Sequence, residues 1–345
     1  MIKIYTIVTA ITCSFIAILT GCSLDPDRKL DKAIAAYNEK QPNALQILEE
    51  EFINTVSIGS VEGTNLQSNG ALLYKIQDNG AEVVYPSTYK YTLTDSEAIT
   101  CIDRTADYAV ISDGIKFCIY NGDGDHRNDE TIGEKKNRVK AVSIDGDTII
   151  YYKNFKLYRY SILHNTSELL HKESFPPPYA NYYRVSLSKR DDLLCILSGI
   201  AGSYFYNLLQ ISNGAVVIKN LALSSSKYHL GENTIRYITG NSGNWEIMQY
   251  AIGSKEKKSL AKLTDIVDIE LVGQGYVVES SKGLWAARYG MEKKPIPFAY
   301  QLGGGYKGRI LLKYRNAYYF IDMNKMFASL KKIEEQTPGL FIKSH

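Results

Sequence analysis

The sequence has few of the residues that most often mark redox, metal or cofactor chemistry. Its 345 residues include 5 Cys, 5 His and 2 Trp, and no two cysteines stand in a Cys-x-x-Cys pair. A charge excess of one sign is also missing, because 40 Lys and Arg face 37 Asp and Glu and leave a net charge of +3. A chain this close to neutral offers no electrostatic basis for binding nucleic acid. Its composition, with 45% hydrophobic and 22% charged residues, excludes collagen-like, coiled-coil and wholly disordered chains.

Tyrosine is the residue type that the sequence has in excess. There are 27 Tyr against 10 Phe. Tyrosine favours half-buried strands and wet surfaces over dry helical cores. The aromatic composition therefore favours a β fold.

The first residues form an apolar run, 2–20, that holds a single charge, Lys3. This run by itself fits a signal peptide or a short membrane helix. It ends in Leu19-Thr20-Gly21-Cys22, which resembles the lipobox of bacterial lipoproteins at all four positions. The resemblance implies that a signal peptide, residues 1–21, is removed and that Cys22 is lipidated. An uncleaved anchor is the alternative.

Lipidation of Cys22 would place the mature protein on a membrane, outside the cytoplasm. Two or more acyl chains hold a protein stably, at about 0.8 kcal/mol for each buried methylene, whereas one chain is marginal. Ser23 follows the cysteine, where many Gram-negative lipoproteins carry an Asp that signals inner-membrane retention. The sequence therefore leaves open the cell membrane or the outer membrane.

The remaining cysteines of the mature chain lie in apolar, strand-like segments. They are Cys101, Cys118 and Cys195, and an odd number cannot form a complete set of disulfides. We expect them to be buried as small hydrophobic residues.

Residues 22–54 are predicted to form a lipid-anchored helical neck. Asp25-Pro26 is a good helix start, because Asp caps the first turn and Pro suits its first position. Leu30, Ala33, Ile34 and Tyr37 then follow at the spacing of one helical face, and a second helix runs through Leu45, Leu48 and Phe52. The pair resembles one tetratricopeptide unit, but a cap on the main domain or a spacer is the simpler interpretation, since such repeats need about three copies.

From about residue 55, seven strand pairs separated by turn residues replace the helical pattern. Their turn centres fall near residues 79, 113, 154, 200, 241, 282 and 315. The intervals of about 33 to 46 residues are close to the length of a four-stranded propeller blade. A further apolar strand precedes most pairs and a short polar one follows several.

In this spacing the chain resembles WD40-like and related β-propellers, in which an aromatic residue closes the third strand. Tyr120, Tyr160, Tyr250 and Tyr289 occupy that position here. The fold class is therefore predicted as all-β, a seven-bladed β-propeller of four-stranded antiparallel blades over residues 55–335, with a C-terminal tail, 336–345. Six or eight blades, or a pair of β-sandwiches, are the alternatives. Thr55 to Val61 is available to close the ring as an added strand of the last blade.

One acidic loop has the composition of a calcium site. Asp123, Asp125 and Asp129 stand in a Gly-containing segment, and alternating oxygen ligands suit Ca²⁺. His126 occupies the place of the sharp-turn Gly of an EF-hand loop, so a solvated turn or a salt-bridged patch is the alternative. A weaker candidate for a ligand or partner rim is Tyr179 with Tyr182, which follow a Pro-Pro-Pro segment.

The sequence contains no recognisable nucleophile motif and no His-Glu-x-x-His motif. Such an absence is weak evidence against an enzyme. We expect a membrane-anchored cell-envelope lipoprotein whose propeller binds or scaffolds a protein or cell-wall ligand, in preference to an enzyme. The alternative is an extracytoplasmic glycan hydrolase or lyase with its site in the propeller funnel, since inward carboxylates from different blades have no recognisable spacing.

Overall fold

The computed structural model describes residues 25–63, 66–68, 72–77, 80–85, 89–92, 101–171, 184–200, 202–241, 243–306 and 308–342. The chain divides into two compact units. Of the described residues, 25–58 together with 324–342 form a helical unit, and those within 59–323 form an all-β unit. This division differs from the predicted boundaries, 55–335 and 336–345, because the last helices group with the first ones.

The helical unit contains helices from both ends of the chain. They are α1 (Pro26–Asn38), α2 (Ala44–Val56), α3 (Met323–Gln336) and α4 (Pro338–Ile342). The Asp25 carboxylate accepts a hydrogen bond from the Asp27 N–H at 3.2 Å, which confirms the predicted start of α1. On α2, Leu48 and Phe52 are buried as predicted, but Leu45 is 50% exposed because the buried face begins at Ala44.

Helix α3 groups with α1 and α2 in this unit and has an apolar face of its own. Its residues Met326, Leu330 and Ile333 recur at helical spacing and are fully buried. Lys332 on α3 forms an ion pair with Asp31 on α1 at 2.5 Å. The Asn38 side chain donates a hydrogen bond to the Gln336 carbonyl at 3.2 Å. The predicted neck is therefore completed by the C-terminal helix.

The strands of the all-β unit form seven four-stranded sheets within the described residues. Six of them are blades built from consecutive strands. Blades 1 to 3 comprise β2 (Gln67–Ser68), β3 (Leu73–Gln77), β4 (Gly80–Tyr85), β5 (Tyr89–Thr92); β6 (Cys101–Arg104), β7 (Tyr108–Ser112), β8 (Lys116–Asn121), β9 (His126–Thr131); β10 (Val139–Asp145), β11 (Thr148–Lys153), β12 (Lys156–Ser161) and β13 (Thr166–His171). Blades 4 to 6 comprise β14 (Arg184–Arg190), β15 (Leu193–Ile200), β16 (Ser203–Gln210), β17 (Val216–Leu223); β18 (Tyr228–Leu230), β19 (Thr234–Asn241), β20 (Asn244–Ala251), β21 (Lys257–Leu263); β22 (Asp268–Val272), β23 (Gly275–Ser280), β24 (Gly283–Arg288) and β25 (Lys294–Ile296).

Blade 7 joins the two ends of the ring. It contains β26 (Gln301–Tyr306), β27 (Arg309–Tyr314), β28 (Ala317–Ile321) and, beside β28, the N-terminal strand β1 (Ser57–Glu62). The Gly63 N–H donates to the Asn316 carbonyl at 2.8 Å, while Gly59 lies beside Phe320, so β1 runs antiparallel to β28. The predicted closure by an N-terminal strand is therefore confirmed.

This topology is that of a seven-bladed β-propeller, and the alternative of two β-sandwiches is wrong. The seven predicted hairpins are the middle strands of the seven blades. Of the four predicted closing tyrosines, Tyr289 lies one residue beyond β24, whereas the other three lie within third strands.

The core consists of apolar layers between neighbouring blades. Between blades 2 and 3, for example, Val110 and Phe117 pack with Ile149 and Tyr151. The Phe117 and Tyr151 rings meet edge to face at 5.4 Å between centroids, a favourable aromatic geometry. Full burial of one such side chain stabilises the fold by about 2 kcal/mol. Many of the tyrosines that the composition showed in excess therefore stabilise these layers.

The three predicted buried cysteines lie in the same layers. Cys101, Cys118 and Cys195 are all buried and free of disulfides. The prediction that they act as small hydrophobic residues is confirmed.

The first strand of each blade lies at the centre of the propeller. These inner strands are β2, β6, β10, β14, β18, β22 and β26, and β10 lies beside both β6 and β14. In a propeller the inner strands all run the same way along the central channel. We call the end where they begin the N-side and the end where they finish the C-side.

Candidate functional site

The predicted calcium ligands lie on blade 2, on the C-side. Asp123 and Asp125 are in the turn from β8 to β9, where the Asp123 carboxylate accepts a hydrogen bond from the Asp125 N–H at 3.2 Å. Asp129 lies on β9 and pairs with Nε2 of His126 at 2.8 Å. The Arg104 guanidinium donates to the Gly122 carbonyl at 2.7 Å and so fixes the turn to its neighbour. The geometry is that of a braced hairpin turn.

No three His, Cys, Asp or Glu side chains group as a metal site in the part of the chain that the structure describes. Asp123, Asp125 and Asp129 do not form such a group among these residues, and the calcium site stays a prediction. Cys22 and the rim tyrosines Tyr179 and Tyr182 lie outside the described residues. Among the described helices, none is long and apolar enough to cross a membrane.

Polar groups connect the inner strands of adjacent blades along the channel. Ser188 of blade 4 bonds the Tyr228 hydroxyl of blade 5 at 2.6 Å, and Lys189 of blade 4 pairs with Asp145 of blade 3. Ser68 of blade 1 donates to the Gly305 carbonyl of blade 7 at 2.8 Å. Each contact joins two blades, so polar side chains supplement the apolar packing between neighbouring blades.

A charged cluster connects blades 5, 6 and 7. Lys227, which precedes β18 on the N-side, lies 2.9 Å from Glu270 and 3.7 Å from Asp268 on β22. Burial acts to lower the pKa of Lys227, but the two carboxylates outweigh it and hold that pKa above its usual value. Gly305 faces Glu270 so closely that a Cβ atom there would collide with the carboxylate. The cluster therefore balances the charge of Lys227 and favours glycine at position 305.

Asp103 connects blades 2 and 3. Its carboxylate accepts hydrogen bonds from the backbone N–H groups of Ile144, at 2.9 Å, and of Arg104, at 2.8 Å. Burial raises the pKa of Asp103 from 3.8 to about 6, against the opposing effect of these bonds and of Ser143 and Lys189. The Asp103 carboxyl group is therefore half protonated near pH 6.

A cleft opens on the N-side, around the start of β14. Its volume is about 390 Å³, and its lining comprises Lys140, Val185, Ser186, Leu197, Gly199, Tyr204 and Ser226. These residues come from blades 3 and 4 and from the segment that leads into blade 5. The lining combines an apolar floor, two hydroxyls, one aromatic ring and one cation.

Gly199 determines the position of the aromatic ring in this cleft. Gly199 and Tyr204 are direct partners across β15 and β16. A Cβ atom on Gly199 would lie 2.5 Å from the Tyr204 ring, so the ring rests on the glycine backbone. Tyr204 is half-buried and can present its other face to a ligand.

Lys140 is the cation of the cleft. It is exposed at the start of β10, and no ion pair or hydrogen bond joins its side chain to another described residue. Ser186 and Ser226 are also exposed. The cleft therefore has a positive charge, hydroxyl donors and a ring available to a ligand.

Sequence reasoning missed the cleft and the channel clusters. The residues of each cluster come from two or three blades and are about 40 positions apart in the chain, so no local spacing marks them. The one signal present was the apolar strand before each hairpin, which indicates an inner strand but not the direction of its side chains.

Comparison with known proteins gives likenesses of fold alone. No known family profile matches the chain, and no curated protein sequence matches it. Among solved structures, the extracellular domain of a one-component system from B. thetaiotaomicron is 17% identical with a TM-score of 0.45, over 77% of this chain and 39% of that one. BamB from Moraxella catarrhalis is 11% identical with a TM-score of 0.45, over 76% and 98% of the two chains.

The WD40 domain of Pan2 from Neurospora crassa is 8% identical with a TM-score of 0.46, over 75% of this chain and 88% of that one. At such identities and scores, the fold assignment rests on the strand pairing of the chain itself.

Proposed function

We propose that this chain is a lipid-anchored lipoprotein on the outer side of a bacterial membrane, and that its propeller binds a protein or cell-wall ligand in the N-side cleft. The lipobox Leu19-Thr20-Gly21-Cys22 supports the anchor, and the cleft supports the binding role. The single observation that carries the binding proposal is the Tyr204 ring resting on Gly199 in a cleft that the exposed Lys140 also lines.

The lining defines the chemistry of the ligand. An exposed aromatic face stacks on a sugar ring, a proline or an apolar side chain. Lys140 Nζ attracts a carboxylate or another acidic group, and the hydroxyls of Ser186 and Ser226 donate or accept hydrogen bonds. A ligand that carries an acidic group next to a ring or an apolar face fits this set, as in a cell-wall peptide or an acidic protein segment. The proposed role is passive, since the rigid blades hold the lining in place.

Photo-crosslinking in intact cells tests the site. A photo-reactive amino acid at position 226 lies at the cleft, and the same amino acid at position 163 is an exposed control in the C-side turn from β12 to β13. We expect a defined adduct from position 226, absent from position 163 and weakened at least tenfold by Lys140→Gln. Identical adducts at both positions would contradict the proposed site.

Radioactive palmitate tests the anchor. Label incorporated by the full chain should disappear in Cys22→Ala and remain in Cys195→Ala, because Cys195 is buried in the propeller. Label that persists in Cys22→Ala refutes the lipoprotein assignment.

A further inference from the structure

A histidine lies at the C-side of the channel without a described hydrogen-bond partner for its ring. His229 is on β18 and pairs across to Arg236 on β19. A Cβ atom on Gly273 would lie 3.4 Å from its Nε2, and one on Gly308 would lie 3.7 Å from its Cε1. The imidazole edge therefore faces two backbone segments, of blades 6 and 7, that carry no side chain at these positions.

Two arginines flank this imidazole and are held mainly by backbone carbonyls. Arg236 donates a hydrogen bond from Nη1 to the Gly273 carbonyl at 3.1 Å, and its guanidinium lies 4.6 Å from the centroid of the Tyr289 ring. The Tyr289 hydroxyl in turn donates to the Val272 carbonyl at 2.7 Å, which fixes the ring. Arg190 donates to the Leu230 carbonyl. Carbonyls and rings orient guanidinium groups but leave their positive charge largely uncompensated.

Acidic side chains of the adjacent turn do not neutralise the pair. The Asp191 carboxylate is 4.0 Å from Arg190 Nε and 93% exposed to solvent, so its interaction is weak. Asp192 accepts hydrogen bonds from the hydroxyl and backbone N–H of Ser212, at 2.6 and 2.8 Å. Arg236 Nε is buried and has no partner among the described residues. One donor and two cationic charges therefore remain for a ligand.

The titration of His229 agrees with this positive surrounding. Burial, followed by the charges of Arg236 and Arg190, lowers the pKa of His229 from 6.5 to about 4. The imidazole is thus neutral at physiological pH and offers one N–H donor and one acceptor.

We propose that the C-side mouth of the channel binds an oxyanion, a carboxylate or phosphate group, between His229, Arg190 and Arg236. Glycines at 273 and 308 place no side chain against the imidazole edge, and the two guanidinium groups supply the charge. The site is separate from the N-side cleft, because it lies where the inner strands finish, whereas the cleft lies where β14 begins.

The experiment follows the His229 ring signals by NMR during pH titrations of the full mature chain, with and without inorganic phosphate or sodium acetate. An anion bound beside the imidazole favours its protonated form. We expect at least one of the two salts to raise the pKa of His229, relative to the same ionic strength of sodium chloride. A pKa shift with phosphate alone indicates a phosphate-bearing ligand, and a shift with acetate alone indicates a carboxylate ligand. A shift with both salts indicates a general oxyanion site.

Variants separate the site from general electrostatics. Arg190→Gln should reduce the salt-induced shift at least fivefold, while the matched variant Arg159→Gln should leave it unchanged, because Arg159 pairs with Glu168 at the edge of blade 3. Circular dichroism checks that both variants fold. The proposal is overturned if neither salt moves the pKa of His229, or if Arg190→Gln leaves the shift intact. Crosslinking at position 226 reports on the N-side cleft independently.

Discussion

Blade 5 carries one cation towards each end of the channel, and the two cations are held in different ways. Lys227 on the N-side is matched by Glu270 and Asp268. Arg236 on the C-side is held by a carbonyl and the face of Tyr289. Carboxylates of the protein balance the charge of Lys227, whereas Arg236 retains a positive electrostatic field. The same propeller can therefore use a charged residue for stability near one end of the channel and present another to a ligand near the other end.

The largest expected effect comes from deleting β1, residues 57–62, which should disrupt the surroundings of both Lys227 and Arg236. Because β1 closes blade 7, its loss opens the ring and exposes the apolar layers next to it. We expect cooperative loss of the whole propeller, seen as loss of the near-ultraviolet circular dichroism signal and of amide protection in every blade.

The control for this deletion is Ile58→Ser within the same strand. Ile58 is 44% exposed, so its replacement should leave the unfolding midpoint nearly unchanged. Protection lost in blade 7 alone would mean that closure is not required by the other blades.

Lys227→Met removes the matched cation and leaves Glu270 partly buried without its partner. We expect the free energy of unfolding to fall by about 3 kcal/mol, as when one member of a buried ion pair is removed. The double variant Lys227→Met with Glu270→Leu should recover most of this loss. Urea unfolding provides the measurement, with the exposed Lys262→Met as control. An equal loss of stability in Lys227→Met and Lys262→Met would show that the cluster does not stabilise the propeller. The NMR signals of His229 on the C-side should not change in either variant.

Asp103 provides a pH test. Its pKa is raised from 3.8 to about 6 in the folded state, so the folded chain binds more protons than the unfolded chain between these values. Stability from this group is therefore present at low pH and is lost as pH rises from about 4 through about 6, by about 3 kcal/mol at most. Asp103→Asn should lack this part of the pH dependence in urea unfolding.

His229 has the opposite sign, since its lowered pKa makes stability fall as pH drops from 6.5 towards about 4. His229→Gln therefore serves as the matched control for Asp103→Asn. Parallel pH profiles for the native chain and Asp103→Asn would contradict a raised pKa at Asp103.

The smallest expected effect on stability comes from Gly199→Val, which sharpens the comparison by acting on the N-side alone. The new side chain displaces the Tyr204 ring, at a cost of about 1–3 kcal/mol. We expect the crosslink from position 226 to disappear, while the His229 signals stay in place. Gly253→Ala is the control, because a Cβ atom there meets nothing within 4 Å. A crosslink retained in Gly199→Val would show that Tyr204 does not contact the ligand.

The fold could be predicted from the sequence because its signals are local. Each blade repeats one strong hairpin with turn residues at its centre, and Tyr120 and Tyr160 occupy the same position in successive copies. The grouping of α3 with α1 could not be predicted, because the two helices are about 300 residues apart in the chain, as the contact between Lys332 and Asp31 illustrates.

The candidate sites could not be predicted either, because their residues are distant in the chain and come together only in the fold. The cleft requires Lys140, Ser186 and Ser226 from three neighbouring parts of the ring, and the C-side cluster requires Arg190 beside His229 and Arg236. A glycine at position 199 looks like an ordinary strand glycine until the ring above it is known. The acidic loop with Asp123 and Asp125 was conspicuous in the sequence because its residues are consecutive, and it forms a hairpin turn.

The pairing of β1 with β28 also sets the order in which the propeller can be completed during synthesis. The first strand of the ring emerges about 250 residues before the strand beside it, and α3 follows only after that. Until then β1 lacks its partner strand and is open to pairing with other chains. Both compact units can therefore be completed only after β28 and α3 have been synthesised, so residues near the C-terminus decide when folding finishes.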